Sequence, residues 1–461
     1  MFAIPGLALL LIFMLGRPQE FFTRLQAIPF LYLFFALTLF GLAVDYKLRR
    51  LRPLRSPQLF WVVVFFLWCL FTLVVRDRAA LPSSGLSLLI QIILYLLIAY
   101  AVQTFAALEG LLGILLAITI YLSAIGVHQG LSPLGCHIID WSSDDMMGTY
   151  DGRPCQTRRD CEQGDYEPGA DYMCERVGVW GTSSIGSGRV RYRGPLNDPN
   201  NLALCVCLAL PFAFAFFERR RTLWRGLLLS LCLTLIITCT VFTQSRGGQL
   251  VFLTVVAAYS IRRFGWRGLA LGALVAVPIL LWGGRQSEEA ESSTETRLAC
   301  WYEGMSMFKE HPVIGVGQGQ FAEHYVQTAH NSYILAAAEL GFIGFVLWSI
   351  VMYLSLKIPF VMLRRYTHER AGPETAPARS WSMAFIAAMC GLLVGILFLS
   401  FCYHQLTWLY IGLSSGLYTA AKRHDDGLTV KFGWRDFAWV VSFDAALIAA
   451  LFVYTRIKGA P

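Results

Sequence analysis

Four stretches of the chain hold residue types at spacings that suit group transfer. The first is Ala329-His330-Asn331-Ser332-Tyr333-Ile334, running into Glu339-Leu340-Gly341-Phe342-Ile343-Gly344. It puts a His, an Asn and a Tyr where a long polar segment enters an apolar one, with Glu339 about two turns further along. An imidazole titrates near working pH, so His330 suits a general base toward a hydroxyl. The plainer reading is a hydrogen-bonded histidine at headgroup level. The second is Thr243-Gln244-Ser245-Arg246-Gly247-Gly248-Gln249-Leu250, a tight turn between two apolar runs. Its glycines let backbone approach a ligand closely. Arg246 offers a planar fork of donors for phosphate oxygens, or simply snorkels to the interface.

The third stretch joins Thr296-Arg297-Leu298-Ala299-Cys300-Trp301 to Lys309-Glu310-His311-Pro312-Val313-Ile314-Gly315-Val316-Gly317. It predicts a loop helix ending at Pro312, then a Gly-rich turn leading toward His330. Arg297 is a second candidate phosphate clamp, or a surface helix cation. The fourth runs from Arg189 to Asn201. Arg189, Arg191 and Arg193 stand at alternate positions and share one side if the segment is extended. Arg191, Arg193 and Asn200 are therefore candidates for contact with an anionic ligand. The Asn197-Asp198-Pro199-Asn200 cluster also serves simply as a turn and helix start.

These segments must be held by apolar elements. Of 461 residues, 56% are hydrophobic and only 15% charged, and the mean hydropathy is +0.54. Soluble domains carry about 25% charged residues, so a soluble enzyme, a disordered chain and a fibre are excluded. Hydropathy predicts an all-α polytopic membrane protein of about thirteen helices. They lie at roughly 2–16, 27–44, 58–75, 85–104, 108–127, 198–217, 224–243, 247–261, 267–283, 331–356, 381–402, 404–420 and 437–455. The first lacks a basic leader and an Ala-x-Ala site, so it is expected to stay as a helix. The net charge of +8 reads as the positive-inside rule, not as affinity for nucleic acid. With the amino terminus inside, the clusters Lys47–Arg55, Arg219–Arg225, Arg262–Arg267, Lys357–Arg379 and Lys422–Arg435 face the cytoplasm.

Two long loops then face the opposite side, and they divide the chain into helices 1–127, loop 128–197, helices 198–283 with the Arg246 hairpin, loop 284–330 and helices 331–461. Four of the twelve cysteines, Cys136, Cys155, Cys161 and Cys174, fall in the first loop. An even number on an oxidising side suggests two disulfides of open connectivity. A zinc site is the alternative, although no Cys-x-x-Cys pair occurs. Asp140, Asp144, Asp145, Asp151, Asp160, Asp165 and Asp171 also crowd this loop without matching a calcium-loop spacing. Cys300 stands alone in the second loop.

Together these stretches resemble the O-antigen ligase/polymerase family of bacterial envelope glycan assembly. One family signature, Arg-x3-Leu, is met by Arg246 to Leu250. The other is His-[Asn/Ser/Gln]-x9-Gly-x-x-[Gly/Thr/Tyr]. It is met by His330-Asn331, Gly341 and Gly344. Arg297, Trp301, His311-Pro312, Gly315-x-Gly317 and the Asn197–Asn200 helix entry are similar too. The likeness is concentrated in about 190–345, and the four-cysteine loop has no counterpart in the family pattern. The resemblance implies a GT-C-type, metal-independent glycosyltransferase of the bacterial inner membrane, without a cofactor, whose site faces the periplasm. The donor would be a glycan on undecaprenyl diphosphate. The acceptor would be lipid A-core for a ligase, or another lipid-linked glycan for a polymerase. His330 would activate or orient the acceptor hydroxyl, and Arg246 and Arg297 would hold the diphosphate. Asn331 and Tyr333 would join Arg191, Arg193 and Asn200 in binding substrate. A lipid-linked sugar transporter is the competing class, but it needs charge deep in the helices, and the suspicious groups cluster at helix ends.

Overall fold

A computed structural model describes all residues except 53, 140–147, 164–166, 168, 187, 266, 269, 271–286, 369–374, 376 and 459–461. The principal helices are α1 (Ala3–Leu11), α2 (Phe30–Lys47), α3 (Leu59–Arg76), α4 (Leu81–Ala101), α5 (Phe105–Leu131), α6 (Pro199–Arg219), α7 (Leu223–Phe242), α8 (Arg246–Phe264), α9 (Ser287–Glu310), α10 (Ser332–His368), α11 (Ala378–Gly395), α12 (Gln405–Lys422) and α13 (Trp434–Lys458). Among the described residues, nine helices are long and apolar enough to cross a membrane. The fold is thus that of an all-α polytopic membrane protein. The span expected at 267–283 lies largely outside the described residues. The span expected at 381–402 is shorter: α11 stops at Gly395, and 396–404 is irregular.

The chain forms two compact units, each discontinuous in sequence. One comprises Met1–Ile4, Thr38–Glu109 and Gln286–Pro461. The other comprises Pro5–Leu37 and Gly110–Arg285. In the first, α12 is almost wholly buried. Gly412 and Gly416 let it approach α4, where an added Cβ would meet Ile98 at 3.1 Å and Val102 at 2.9 Å. Small residues at four-residue spacing are what allows close helix contact in lipid, where no hydrophobic force drives association. Several of the polar groups so enclosed are hydrogen-bonded in place. Gln58 donates to Ser355 at 2.8 Å, and Tyr95 shares hydrogen bonds with Ser56 and Ser415, each at 3.0 Å.

In the second unit the first long loop folds on its own sheet, which the sequence reading did not foresee. Strands β1 (Leu134–Ile138), β2 (Thr149–Pro154) and β3 (Tyr172–Arg176) pair antiparallel in the order β2-β1-β3. Two disulfides, Cys136–Cys161 and Cys155–Cys174, staple it. Three of these sulfurs crowd within 4.8 Å of one another, but as disulfides they present no thiolate for a metal. Of the loop aspartates, Asp140, Asp144, Asp145 and Asp165 lie outside the described residues. Asp151 pairs with Arg153 at 2.6 Å, Asp160 closes a capping box with Thr157, and Asp171 lies 3.9 Å from Arg158. Cys300 is a buried free thiol on α9.

Candidate functional site

His330 is built into the first unit by a break in α10. Helix α9 ends at Glu310, and His311 and Pro312 turn the chain. The next residues then run back along α10 like a strand. Val316 N–H donates to the Ala338 carbonyl and Gly317 N–H to the Glu339 carbonyl, both at 2.9 Å, and Phe342 N–H donates to the Pro312 carbonyl at 2.7 Å. The Ala338 and Glu339 carbonyls and the Phe342 N–H are free for these bonds because α10 is interrupted at Gly341, whose φ of 66° lies in the left-handed region. The contact is backbone against backbone on both sides. A Cβ at Gly341 would overlap the Val313 carbonyl, and one at Gly315 would overlap the Glu339 carbonyl. Two glycines twenty-six positions apart are therefore required by one junction. Trp68 Nε1 donates to the Leu340 carbonyl at 3.0 Å. The buried Glu339 carboxylate accepts from Gly319 N–H at 2.9 Å and Phe321 N–H at 3.1 Å.

Upstream of the break, His330 itself sits at φ 48°, a backbone region that non-glycine residues seldom occupy. Asn331 follows as the helix cap. Its Oδ1 accepts from Tyr333 N–H at 2.9 Å and Ile334 N–H at 3.2 Å, while its buried Nδ2 has no hydrogen-bond partner among the described residues. The next residues are fixed to the segment between α11 and α12. Ser332 N–H donates to the Ile396 carbonyl at 2.8 Å, its hydroxyl donates to the Leu399 carbonyl at 2.6 Å, and it accepts from Phe401 N–H at 2.8 Å. Tyr333 hydroxyl donates to the Leu393 carbonyl at 3.1 Å. Thr328 and Ser400 share a further hydroxyl contact. The irregular 396–404 stretch thus receives the turn that carries His330.

Arg246 is built into the second unit by the same local device. Gln244 sits at φ 50°. Ser245 caps α8 by accepting from Gly248 N–H at 2.9 Å, and its hydroxyl donates to Asn200 Oδ1 at 2.7 Å. Asn200 Nδ2 in turn donates to Asp198, the cap of α6, at 2.8 Å. The starts of α6 and α8 are therefore tied together, and a Cβ at Gly248 would overlap the Ala203 side chain. Arg246, the first residue of α8, is exposed. A helix start with capped amides carries partial positive charge, and a guanidinium there adds to it.

The remaining candidates are spread out. Arg297 is half-buried on α9, in the first unit. Arg189, Arg191 and Arg193 do not share one face, which corrects the extended-strand expectation. Arg189 Nε donates to the Thr243 carbonyl at 3.1 Å. Arg193 donates to the carbonyls of Trp180 and Gly181 at 2.8 and 2.9 Å. Arg191 is only 2% exposed. Its Nε donates to the Ser183 carbonyl at 3.2 Å, and its guanidinium lies 3.8 Å from buried Glu175. Burial places Arg191 inside the loop body, holding strands together. Its neighbour His137 is buried as well, its ring contacting the Gly135 carbonyl at 3.0 Å. Burial pushes the His137 pKa down, and burial of Glu175 pushes that carboxyl up against the pull of Arg191. Sequence reasoning missed Ser245, Ser332 and Trp68. Serine in the residue before an apolar run is a capping signal, so Ser245 was legible; the long-range contacts of Ser332 and Trp68 were not.

Comparison with known proteins bears on this arrangement. Residues 231–349 match the family model described as O-antigen ligase. That interval opens within α7, contains the Arg246 turn and α9, and ends in α10 beyond the Gly341 break. Among curated proteins none matches significantly. Similar solved structures include a chain described under "Structural coordination of polymerization and crosslinking by a peptidoglycan synthase complex". It has a TM-score of 0.43 and 15% identity, over 80% of this chain and 98% of that one. A superposition that loose says nothing about chemistry. The matched interval covers less than half of the chain but carries both capped turns, and over it this multi-pass membrane protein is similar to the O-antigen ligase family.

Proposed function

We propose that the protein is a membrane glycosyltransferase that moves a glycan from undecaprenyl diphosphate to an acceptor hydroxyl on the periplasmic side, most simply as a ligase acting on lipid A-core. The observation that carries this reading is the match over 231–349, which spans both turns: in Gln244-Ser245-Arg246 the functional side chain follows a left-handed residue and a polar cap, and in His330-Asn331-Ser332 the functional residue is itself left-handed and precedes the cap. In this reading His330 accepts the acceptor's hydroxyl proton. The acceptor oxygen forms the new glycosidic bond as the bond from sugar to diphosphate breaks, and undecaprenyl diphosphate leaves. Charge grows on the diphosphate as it departs. Fixed guanidinium groups stabilise that charge without reorganising, which is the part assigned to Arg246 and Arg297. Asn331 and Tyr333 hold the His330 turn in place, and Asn200 does the same for Arg246 through Ser245. Neither metal nor cofactor enters this scheme.

A polymerase that joins lipid-linked repeat units uses the same chemistry and is the second reading, since the family match covers both. The test is the glycan made by a deletion strain, complemented with wild-type or His330→Ala protein and resolved by size. Long lipid-linked chains left undelivered, and rescued only by wild type, are the ligase result. Accumulated single units are the polymerase result. A normal pattern with the His330→Ala protein overturns the mechanism. Turnover by purified protein in detergent, with no membrane gradient, separates either enzyme from a transporter.

A further inference from the structure

We propose that Trp180 and the groove beside it bind a lipid-linked saccharide, the indole stacking on a sugar ring and the groove taking the adjoining hydrocarbon. The proposal rests on the glycosyltransferase reading above and names a subsite for its substrate. Trp180 sits at φ 59°, ψ 27°, a left-handed conformation rarely adopted by a bulky side chain. The second unit holds it there. Arg193 donates to the carbonyls of Trp180 and Gly181, Thr182 hydroxyl donates to the Val179 carbonyl at 2.9 Å, and Gly178 N–H donates to the Thr182 carbonyl at 2.8 Å. The indole stacks on Phe21 with ring centroids 5.4 Å apart. Yet it is 56% exposed. Loop packing does not need an arginine and a strained backbone to display an indole outward. Backbone strain of this kind points to function, and a rigid aromatic gives contact area at low entropic cost.

The surroundings select the ligand class. Beside the indole runs a groove of about 380 Å³ between the end of α1 and the face of α5, lined by Ile12, Pro18, Phe21, Ile118 and Tyr121 as well as Trp180. Because α5 is long and apolar enough to cross a membrane, hydrocarbon is what fits this groove. Arg17 and Glu20, in the same turn as the lining residues Pro18 and Phe21, form an ion pair 2.7 Å apart. The C–H face of a pyranose suits an indole, and the hydroxyl edge suits an ion pair. A ligand with sugar at one end and hydrocarbon at the other meets all three features; a water-soluble peptide meets none.

The test uses the full-length protein in nanodiscs and, as probe, the free oligosaccharide released by mild acid from the lipid-linked glycans of the producing cell. Saturation-transfer NMR should show contact at the sugar ring C–H protons. Trp180→Leu should raise Kd about tenfold, and Trp180→Tyr should stay within about threefold, because stacking is kept. Unchanged affinity in Trp180→Leu, with thermal stability lowered instead, would overturn the platform and leave Trp180 an interfacial anchor. Trp180-dependent binding in a protein that fails to transfer glycan would sink the enzymatic reading and keep the platform. Transfer with Trp180-independent binding would do the reverse.

Discussion

At the residue scale, the exposed position of Arg246 makes it dispensable for packing and available for chemistry. Arg246→Ala is expected to lower glycan transfer about 100-fold or more, the usual cost of losing one preorganised charge-stabilising donor, with normal expression and thermal unfolding. Arg246→Lys keeps the charge but loses the fork, and it should fall short of wild type in the same transfer assay. Wild-type activity in either variant removes Arg246 from the mechanism. His137 gives a pH prediction in the loop. Burial lowers its pKa, and Arg191 pushes the same way, against the Gly135 hydrogen bond and Asp151. The stability that follows from a neutral His137 is therefore complete above its ordinary value of about 6.5 and is lost as pH falls through the lowered folded value. Glu175, raised by burial, acts in the opposite sense and loses its contribution as pH rises. Limited proteolysis of the 128–197 loop should accelerate between pH 7 and pH 5 in wild type, and His137→Gln should flatten that dependence. An unchanged profile in the variant assigns the effect elsewhere.

At the scale of elements, the junction between the 311–319 turn and α10 is the most constrained feature of the first unit. Gly341→Ala must either leave φ 66° or push its Cβ into the Val313 carbonyl. The conformational term alone costs about 1–3 kcal/mol, so thermal unfolding in detergent should drop by several degrees and transfer should fail with it. Gly315→Ala meets the Glu339 carbonyl and should behave alike. A wild-type melting temperature in both would mean that the turn does not seat on α10 as described. Glu339 holds the amides of Gly319, at the end of that turn, and of Phe321 just after it. Glu339→Ala leaves both without their acceptor, at about 1–3 kcal/mol each, whereas Glu339→Gln still presents one oxygen. The alanine variant is expected to be the less stable of the two in the same measurement.

At the scale of the whole molecule, the disulfide-stapled loop is a folded element with its own small core of Cys136, Cys161 and Tyr172. Its disulfides close separations of 25 and 19 residues. Replacing Cys155 and Cys174 by serine should cost the loop about 2–4 kcal/mol. The expected outcome is protease cleavage within 128–197, while the membrane helices keep their helical circular dichroism. Cooperative loss of both signals would show instead that the loop and the helices fold as one.

Residue order alone determined that the chain spans a membrane, where most helices lie, and that Arg246 and His330 stand at helix starts. Lipid permits few backbone solutions, so a run of apolar residues closed by polar ones is nearly sufficient evidence. The motif glycines were legible as a pattern but not as a mechanism. That Gly315 and Gly341 answer one another is a fact of two backbones meeting, and spacing carries no trace of it. The alternate arginines show the same limit. Their spacing suggested one shared face, yet each found a different carbonyl, because a short irregular segment takes its direction from what surrounds it. The three-stranded sheet was hidden in a loop whose cysteines read only as two disulfides of open connectivity and whose aspartates matched no calcium-loop spacing. Strand pairing between β1, β2 and β3 is non-local, and only the tertiary structure decided which cysteine met which.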